Sequence, residues 1–381
     1  MADKIGRALQ AHSMEVFPPD AQKELRTFSA REAGEFLDIN ANTFRHYLKT
    51  YADKMPTGTL VNGNRRYFTA EEIQAIRDFL YENGRIGPRE YRRRQPGEDV
   101  KVFTIFNLKG GVSKTTSTVS IAQMLALRGY RILCVDLDAQ ASMTNLFGLS
   151  PELDPNMPTA YDIISYDDPK PIRQVIRPTY FAGIDIIPAS MDIIEFEYET
   201  ASSFSEGRTA APFHSRMSAA LSQVEDEYDL VIIDTPPQLS FAVISALFAS
   251  TGMVIPLSAS MLDVMSLATF MTMASDLMAV VERQNQEKTF DFIRLLVTKY
   301  EASDQPQLQM ASFLRTVLGD DVLPAEFVKS TAIGDALNTK QPVLEVGPRD
   351  MNKATYDRVI KSISDICNAI EEDLGQAWGR T

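Results

Sequence analysis

The stretch "NLKGGVSKTT", Asn107 to Thr116, follows the apolar run "VFTIF" (Val102–Phe106) and precedes "STVSIAQMLALRGY" (Ser117–Tyr130), a segment of helical composition that stops near Gly129. Strand, glycine turn and helix N-terminus in that order aim several backbone N–H groups and the positive end of a helix dipole at one point, where a phosphate is favoured. The spacing is unusual. A phosphate loop of the form G-x-x-x-x-G-K-[ST] with Lys114 as its lysine requires glycine at 108 and 113, where this chain has Leu108 and Ser113. Its glycines are Gly110 and Gly111, and it carries two lysines, Lys109 and Lys114. In such a loop Lys114 neutralises the β- and γ-phosphates, and the Thr115 hydroxyl is a candidate ligand for Mg²⁺.

The alternation continues outward from the loop. "RILCVDLD", "IDIIPAS", "YDLVIIDTP", "GMVIPLS" and "FIRLLVTKY" are short β-branched runs separated by helix-length segments, as expected of buried parallel strands joined by crossover helices. Residues 99–381 are therefore expected to form an α/β domain with a doubly wound, mostly parallel sheet of the P-loop NTPase type. "CVDLDAQAS" brings Asp136 and Asp138 to the end of one strand, and "DLVIIDTPPQLS" brings Asp234 to the end of another. Carboxylates there can face a phosphate site.

Lys109-Gly110-Gly111-Val112-Ser113-Lys114-Thr115 resembles, at every fixed position, the deviant Walker A motif K-G-G-x-x-K-[ST], found in the family that includes ParA, MinD and the nitrogenase iron protein. The resemblance implies that Lys109 to Thr116 bind ATP or ADP. It also implies that Lys114 serves its own subunit, whereas Lys109 crosses a homodimer interface to the partner's nucleotide. In the same family an aspartate at the Asp138 position orients the attacking water, making Asp138, Lys109 and Lys114 the expected catalytic residues. Asp136 supports the Mg²⁺ shell, and Asp234 binds Mg²⁺ through water. Thr235, Pro236 and Pro237 complete the family's D-[TC]-P-P, and Pro324 in "VLPAEF" is expected beside the adenine.

Composition narrows the membership. The two isolated cysteines, Cys134 and Cys367, do not supply the ligands of an iron–sulfur cluster. The acidic end "AIEEDLGQAWGRT" is unlike the basic amphipathic membrane helix of MinD relatives. No run approaches the roughly 18–20 apolar residues of a membrane helix, and "MADKIGRALQAHSMEVFPPD" lacks the apolar centre of a signal peptide, so the expected location is the cytoplasm. The 381 residues carry a net charge of −13, unevenly placed. Residues 1–100 hold 16 basic and 15 acidic side chains, and residues 101–381 hold 22 and 36.

Before residue 100 the sequence reads differently. Residues 1–25 suggest a helical dimerisation arm that stops at Phe17-Pro18-Pro19. Residues 26–98 read as a winged helix-turn-helix unit and linker. Ser29 caps "AREAGEFL", a turn around Asp38-Ile39-Asn40 follows, and "NTFRHYLKTY" forms a second helix displaying Asn42, Thr43, Arg45, His46 and Lys49 toward DNA. "TLVNGNRRYFT" has the hairpin signal Asn-Gly-Asn with Arg65 and Arg66 on a basic wing. "YENGRIGPREYRRRQPGED", with Arg92, Arg93 and Arg94, has linker composition.

Arm, winged unit and ATPase in one chain resemble the long ParA proteins of low-copy plasmids, most closely the RepA proteins of repABC cassettes. What this implies is a nucleoid-associated partition ATPase that works with a ParB-type centromere-binding protein and represses its own operon through the winged unit. It further implies that the ATP-bound dimer grips DNA non-specifically near the C-terminal helices, where Arg349 and Lys353 are the candidates. The competing reading is a transcriptional repressor whose nucleotide site only senses.

Overall fold

In the computed structural model the described residues are 23–63, 65–206, 212–282, 288–331, 333–334, 340–348 and 350–380. The expected arm therefore falls almost wholly outside them. From Lys23 onward the chain is fastened to the main domain. The Lys23 ammonium donates to the Leu146 carbonyl at 2.7 Å and pairs with Glu345 at 3.1 Å. Arg26 donates to the Leu344 carbonyl at 3.0 Å, to Glu32 at 2.8 Å and to the Tyr356 hydroxyl at 2.6 Å.

The N-terminal unit opens with β1 (Phe28–Ser29) and α1 (Ala30–Phe36). The Ser29 hydroxyl accepts the Glu32 amide while the Glu32 carboxylate accepts the Ser29 N–H, so two orphan donors are satisfied reciprocally. After four intervening residues α2 (Ala41–Thr50) begins, its first turn capped by Asn40, whose side chain accepts the Thr43 amide at 2.9 Å. β2 (Thr59–Val61) and β3 (Arg65–Phe68) form an antiparallel hairpin, β1 pairs with the other edge of β3, and α3 (Ala70–Glu82) closes the unit with a second reciprocal cap, Thr69 and Glu72. Phe28, Phe36, Phe44 and Phe68 fill its core, Phe28 and Phe36 edge to face at 5.3 Å.

The segment with linker composition contains a single turn, α4 (Pro88–Tyr91), and its Arg92, Arg93 and Arg94 are occupied internally. Arg92 pairs with Glu371 and Asp38, Arg93 with Asp78, and Arg94 with Asp229, Arg94 also donating to the Glu225 carbonyl. These charges hold the N-terminal unit to the main domain instead of remaining free for phosphate.

Among the described residues the main domain has eight strands: β4 (Lys101–Ile105), β5 (Ile132–Asp136), β6 (Arg177–Pro178), β7 (Ile184–Ile187), β8 (Leu230–Asp234), β9 (Gly252–Ser258), β10 (Phe292–Tyr300) and β11 (Phe327–Val328). Their order is β11-β10-β9-β4-β8-β5-β7-β6, and all pairs are parallel except β6 with β7. The helices are α5 (Lys114–Leu127), α6 (Ser142–Leu146), α7 (Ala160–Ile164), α8 (Ile172–Val175), α9 (Ile193–Glu206), α10 (Arg216–Leu221), α11 (Phe241–Ala249), α12 (Met261–Glu282), α13 (Gln305–Leu318) and α14 (Lys353–Ala377).

Side chains alternate across the strands, so Ile132 and Cys134 join a core with α5 and α14, while Leu133 and Val135 join one with α7, α9, α10 and α11. α5 is buried nearly all round because sheet, α14 and N-terminal unit surround it, and the buried set includes Ser117, Thr118, Ser120 and Gln123 beside its apolar residues, leaving no solvent face. From the central strand β4 the chain crosses to β5 on one side, and β9 lies on the other. A crevice therefore opens at the carboxyl end of β4, where doubly wound sheets place their ligands.

Candidate functional site

The turn after β4 depends on two residues in the left-handed region, Gly111 (φ +74) and Ser113 (φ +66). Ser113 makes no side-chain cap to α5, so the first-turn amides of that helix have no capping side chain and are presented at the crevice. Asn107 braces the turn: its amide donates to the Pro256 carbonyl of β9 at 2.8 Å, and its oxygen accepts the Lys109 N–H at 2.9 Å. The Lys114 ammonium, nearly buried, donates to the carbonyls of Asn107 and Lys109, both at 3.0 Å. Burial lowers its pKa, opposed by the charges of Asp234 and Asp138.

Two carboxylates stand at matching register at the ends of β5 and β8, Asp136 opposite Asp234. Asp234 is fully buried and accepts the Thr115 hydroxyl at 2.6 Å and the Thr118 hydroxyl at 3.0 Å. Burial, and then the neighbouring Asp136 charge, push its pKa well up. Asp136 is pushed up by burial too, although it accepts the Thr144 amide at 2.9 Å, the Thr144 hydroxyl at 2.8 Å and the Asp138 N–H at 3.1 Å. Its bonds tie α6 to the turn that carries Asp138. Asp138 is half-buried, with one carboxylate oxygen accepting the Gln140 N–H at 3.0 Å. Thr235 donates to the Ile105 carbonyl at 2.8 Å, and Pro237 faces Gly110, where an added Cβ would lie 4.0 Å away.

The donor chemistry identifies the cation this place suits. Among the described residues, no group of three or more His, Cys, Asp or Glu side chains could hold a metal. A hydroxyl and one buried carboxylate beside uncapped amides instead match Mg²⁺, which takes few protein oxygens and completes its shell with water and phosphate.

A family model described as an AAA domain matches residues 100–287. A Rhizobium rhizogenes protein provisionally named replication protein A is 39% identical over 387 residues, covering 100% of this chain and 94% of the relative. The chain belongs to the ParA family. Chromosome partitioning protein ParA of Caulobacter vibrioides (strain NA1000 / CB15N) is 27% identical over 64% of this chain and 86% of its own length. Among solved structures, one named Partition Protein has a TM-score of 0.61 at 18% identity and covers 98% of both chains. A Cyanothece McdA(D38A)–ATP complex has a TM-score of 0.58 at 19% identity, covering 72% of this chain and 97% of the other. The McdA chain was solved with ATP, and a cobyrinic acid a,c-diamide synthase of Mycobacterium smegmatis that shares the fold (TM-score 0.52, 24% identity) was solved with ADP and magnesium.

Gly110 to Thr116, Asp136, Asp138 and Asp234 lie together at the crevice. Lys109 does not face inward with Lys114. Its ammonium forms an ion pair with Asp263 in the first turn of α12. Pro324 lies between β10 and β11, its carbonyl accepting from Arg315 at 3.4 Å, whereas the residue of this region that touches the loop is Thr298, whose hydroxyl donates to the Val112 carbonyl at 3.1 Å. Asn107, Thr118, Thr144 and Asp263 are absent from the sequence reading. Thr118 had a signal, three residues after Thr115 on one helix face. Asp263 had none, 154 residues from Lys109.

In the N-terminal unit, Phe44 and Leu48 of α2 face the core, while Asn42, Arg45, His46 and Lys49 are exposed on the other side and Thr43 is half-buried. Arg65 is exposed on the hairpin. Arg66 is half-buried and donates to the Thr57 carbonyl at 2.6 Å, bracing the hairpin base. Lys353 is exposed at the first position of α14, and Arg349 lies outside the described residues. No helix among the described residues is long and apolar enough to cross a membrane.

Proposed function

We propose that this protein is a weak ATPase that segregates a plasmid and controls its own operon. The observation that carries the reading is the uncapped N-terminus of α5 with Lys114 beside it and the Thr115–Asp234 pair beneath it. Amides of residues 110–116 would cradle the triphosphate, and Lys114 would exchange two loop carbonyls for phosphate oxygens. Mg²⁺ held by Thr115 and Asp234 would neutralise charge on the β- and γ-phosphates. Asp138, whose backbone N–H is held by Asp136 and one of whose carboxylate oxygens accepts the Gln140 N–H, would accept a hydrogen bond from the attacking water and orient it. Asp136 acts by fixing that turn. Lys109 would reach the nucleotide of a second subunit, so that pairing depends on ATP.

The paired form would bind DNA non-specifically through basic side chains near α14, Lys353 among them, with affinity falling steeply as salt rises. A ParB-type partner would accelerate hydrolysis and release that DNA. The exposed face of α2 and Arg65 on the hairpin would read an operator, two half-sites per dimer.

Asp138→Ala is the decisive variant. It should still bind ATP and pair, while turnover falls by about 100-fold and plasmid retention is lost. Retention that survives loss of hydrolysis would overturn the partition reading and leave the nucleotide-sensing repressor, which a gel shift on the chain's own promoter would then support.

A further inference from the structure

We propose that Asp263 is a positioning residue for Lys109, a latch that keeps the lysine on its own subunit until nucleotide on that same subunit loosens it. The proposal rests on the reading that Lys109 serves a partner's nucleotide, and it concerns what happens to that lysine beforehand. Lys109 is held at three points. Its N–H donates to the Asn107 side chain at 2.9 Å, its carbonyl accepts the Lys114 ammonium at 3.0 Å, and its own ammonium pairs with Asp263. The Asp263 side chain is 5% exposed and that of Lys109 41%. The carboxylate is thus the enclosed partner and the lysine the one able to leave. Asp263 lies in the first turn of α12, where its own N–H donates to the Ser260 carbonyl at 3.1 Å and to the Ser260 hydroxyl at 3.3 Å, and where the helix dipole favours its negative charge.

Removing the cation leaves a buried charge without its counterion, so release of Lys109 is opposed. The opposition is conditional on the loop. To reach a phosphate, Lys114 must leave the carbonyl of Lys109, which frees one of the three points and lets the lysine backbone turn. Filling the site in one subunit therefore prepares the lysine that the other subunit needs. A chain without nucleotide keeps Lys109 at home and does not pair.

The test uses the full-length chain with Asp263→Asn, Asp263→Glu, Lys109→Gln and the Lys109→Gln/Asp263→Asn double variant. Pairing with ATP and Mg²⁺ is read by sedimentation, turnover is read against protein concentration, and the melting midpoint is read for each. Asp263→Asn should pair at about 5-fold or more lower protein concentration and turn over faster without partner. Asp263→Glu should return both toward the parent, and the double variant should gain nothing over Lys109→Gln. Asp263→Asn that pairs and turns over like the parent, or no longer folds, overturns the latch and leaves a structural ion pair. Lys109→Gln that leaves pairing intact overturns the underlying reading instead, so the two failures are distinguishable.

Discussion

Asp234 sits where burial opposes a charge, and a second carboxylate, Asp136, stands opposite it in the neighbouring strand. The two threonine hydroxyls it accepts supply partial compensation, and Mg²⁺ would supply the rest. Such a residue weakens the free protein and strengthens the liganded one. Asp234→Asn keeps the shape and removes the charge, so the free chain should melt about 2 °C or more higher. The rise in melting temperature that ATP with Mg²⁺ gives the parent should shrink to nearly nothing. Differential scanning calorimetry with and without nucleotide reads both, and a variant that melts lower in the free state would show that the charge is well accommodated. Lys114, Thr115 and Asp234 were legible in the sequence because loop spacing and strand ends announce them. Asn107, Thr144 and Asp263 were not, since an amide, a hydroxyl and a carboxylate in ordinary company carry no local mark.

α2 is legible for another reason: a helix with apolar residues every three or four positions must bury that stripe, and here Phe44 and Leu48 do so while Asn42, Arg45, His46 and Lys49 look outward. Arg45→Ala should cost operator binding about 1–3 kcal/mol and relax preference at one base position. Arg65→Ala on the hairpin should weaken binding to every sequence alike and lower the salt slope by about one. Gel shifts on promoter fragments at several salt concentrations separate these outcomes. Equal loss from both variants on specific and random DNA would deny α2 a reading role. Arg66, braced on the Thr57 carbonyl, has less freedom to join them.

The six inner strands were equally legible, because strands covered on both faces are near-continuous apolar runs. β6 and β11, two residues each at the edges, are too short to show a pattern. The segment from Arg85 to Glu98 misleads because its Gly, Pro and Arg content is that of a linker. Two of the partners that enclose its arginines, Asp229 and Glu371, are more than a hundred residues away.

At the scale of the whole molecule, the N-terminal unit and the nucleotide-loop helix meet at Arg77. Its guanidinium on α3 is fully buried and donates to the carbonyls of Phe36 at 2.5 Å, Glu90 at 2.6 Å and Leu127 at 3.5 Å. Phe36 and Leu127 are the last residues of α1 and α5, where helix dipoles leave negative character. Burial pushes the pKa of Arg77 down to about 9, so the cation persists near neutrality. Gly129 (φ +108) makes the fit possible, because a Cβ there would lie 2.5 Å from the Arg77 side chain. The junction thus joins the end of the phosphate-loop helix to the unit proposed to bind the operator. Arg77→Met removes the cation and leaves three carbonyls short of a donor, a loss of about 3 kcal/mol. It should fall on the docking of the two units more than on either core. Trypsin should then cut among Arg92, Arg93 and Arg94, which the parent encloses, and release a fragment that still binds ATP. Gly129→Ala should do the same by expelling the side chain. Unchanged tryptic lifetimes in both variants would mean that the remaining ion pairs of the junction, Arg92–Glu371 and Arg94–Asp229, hold the units together without it.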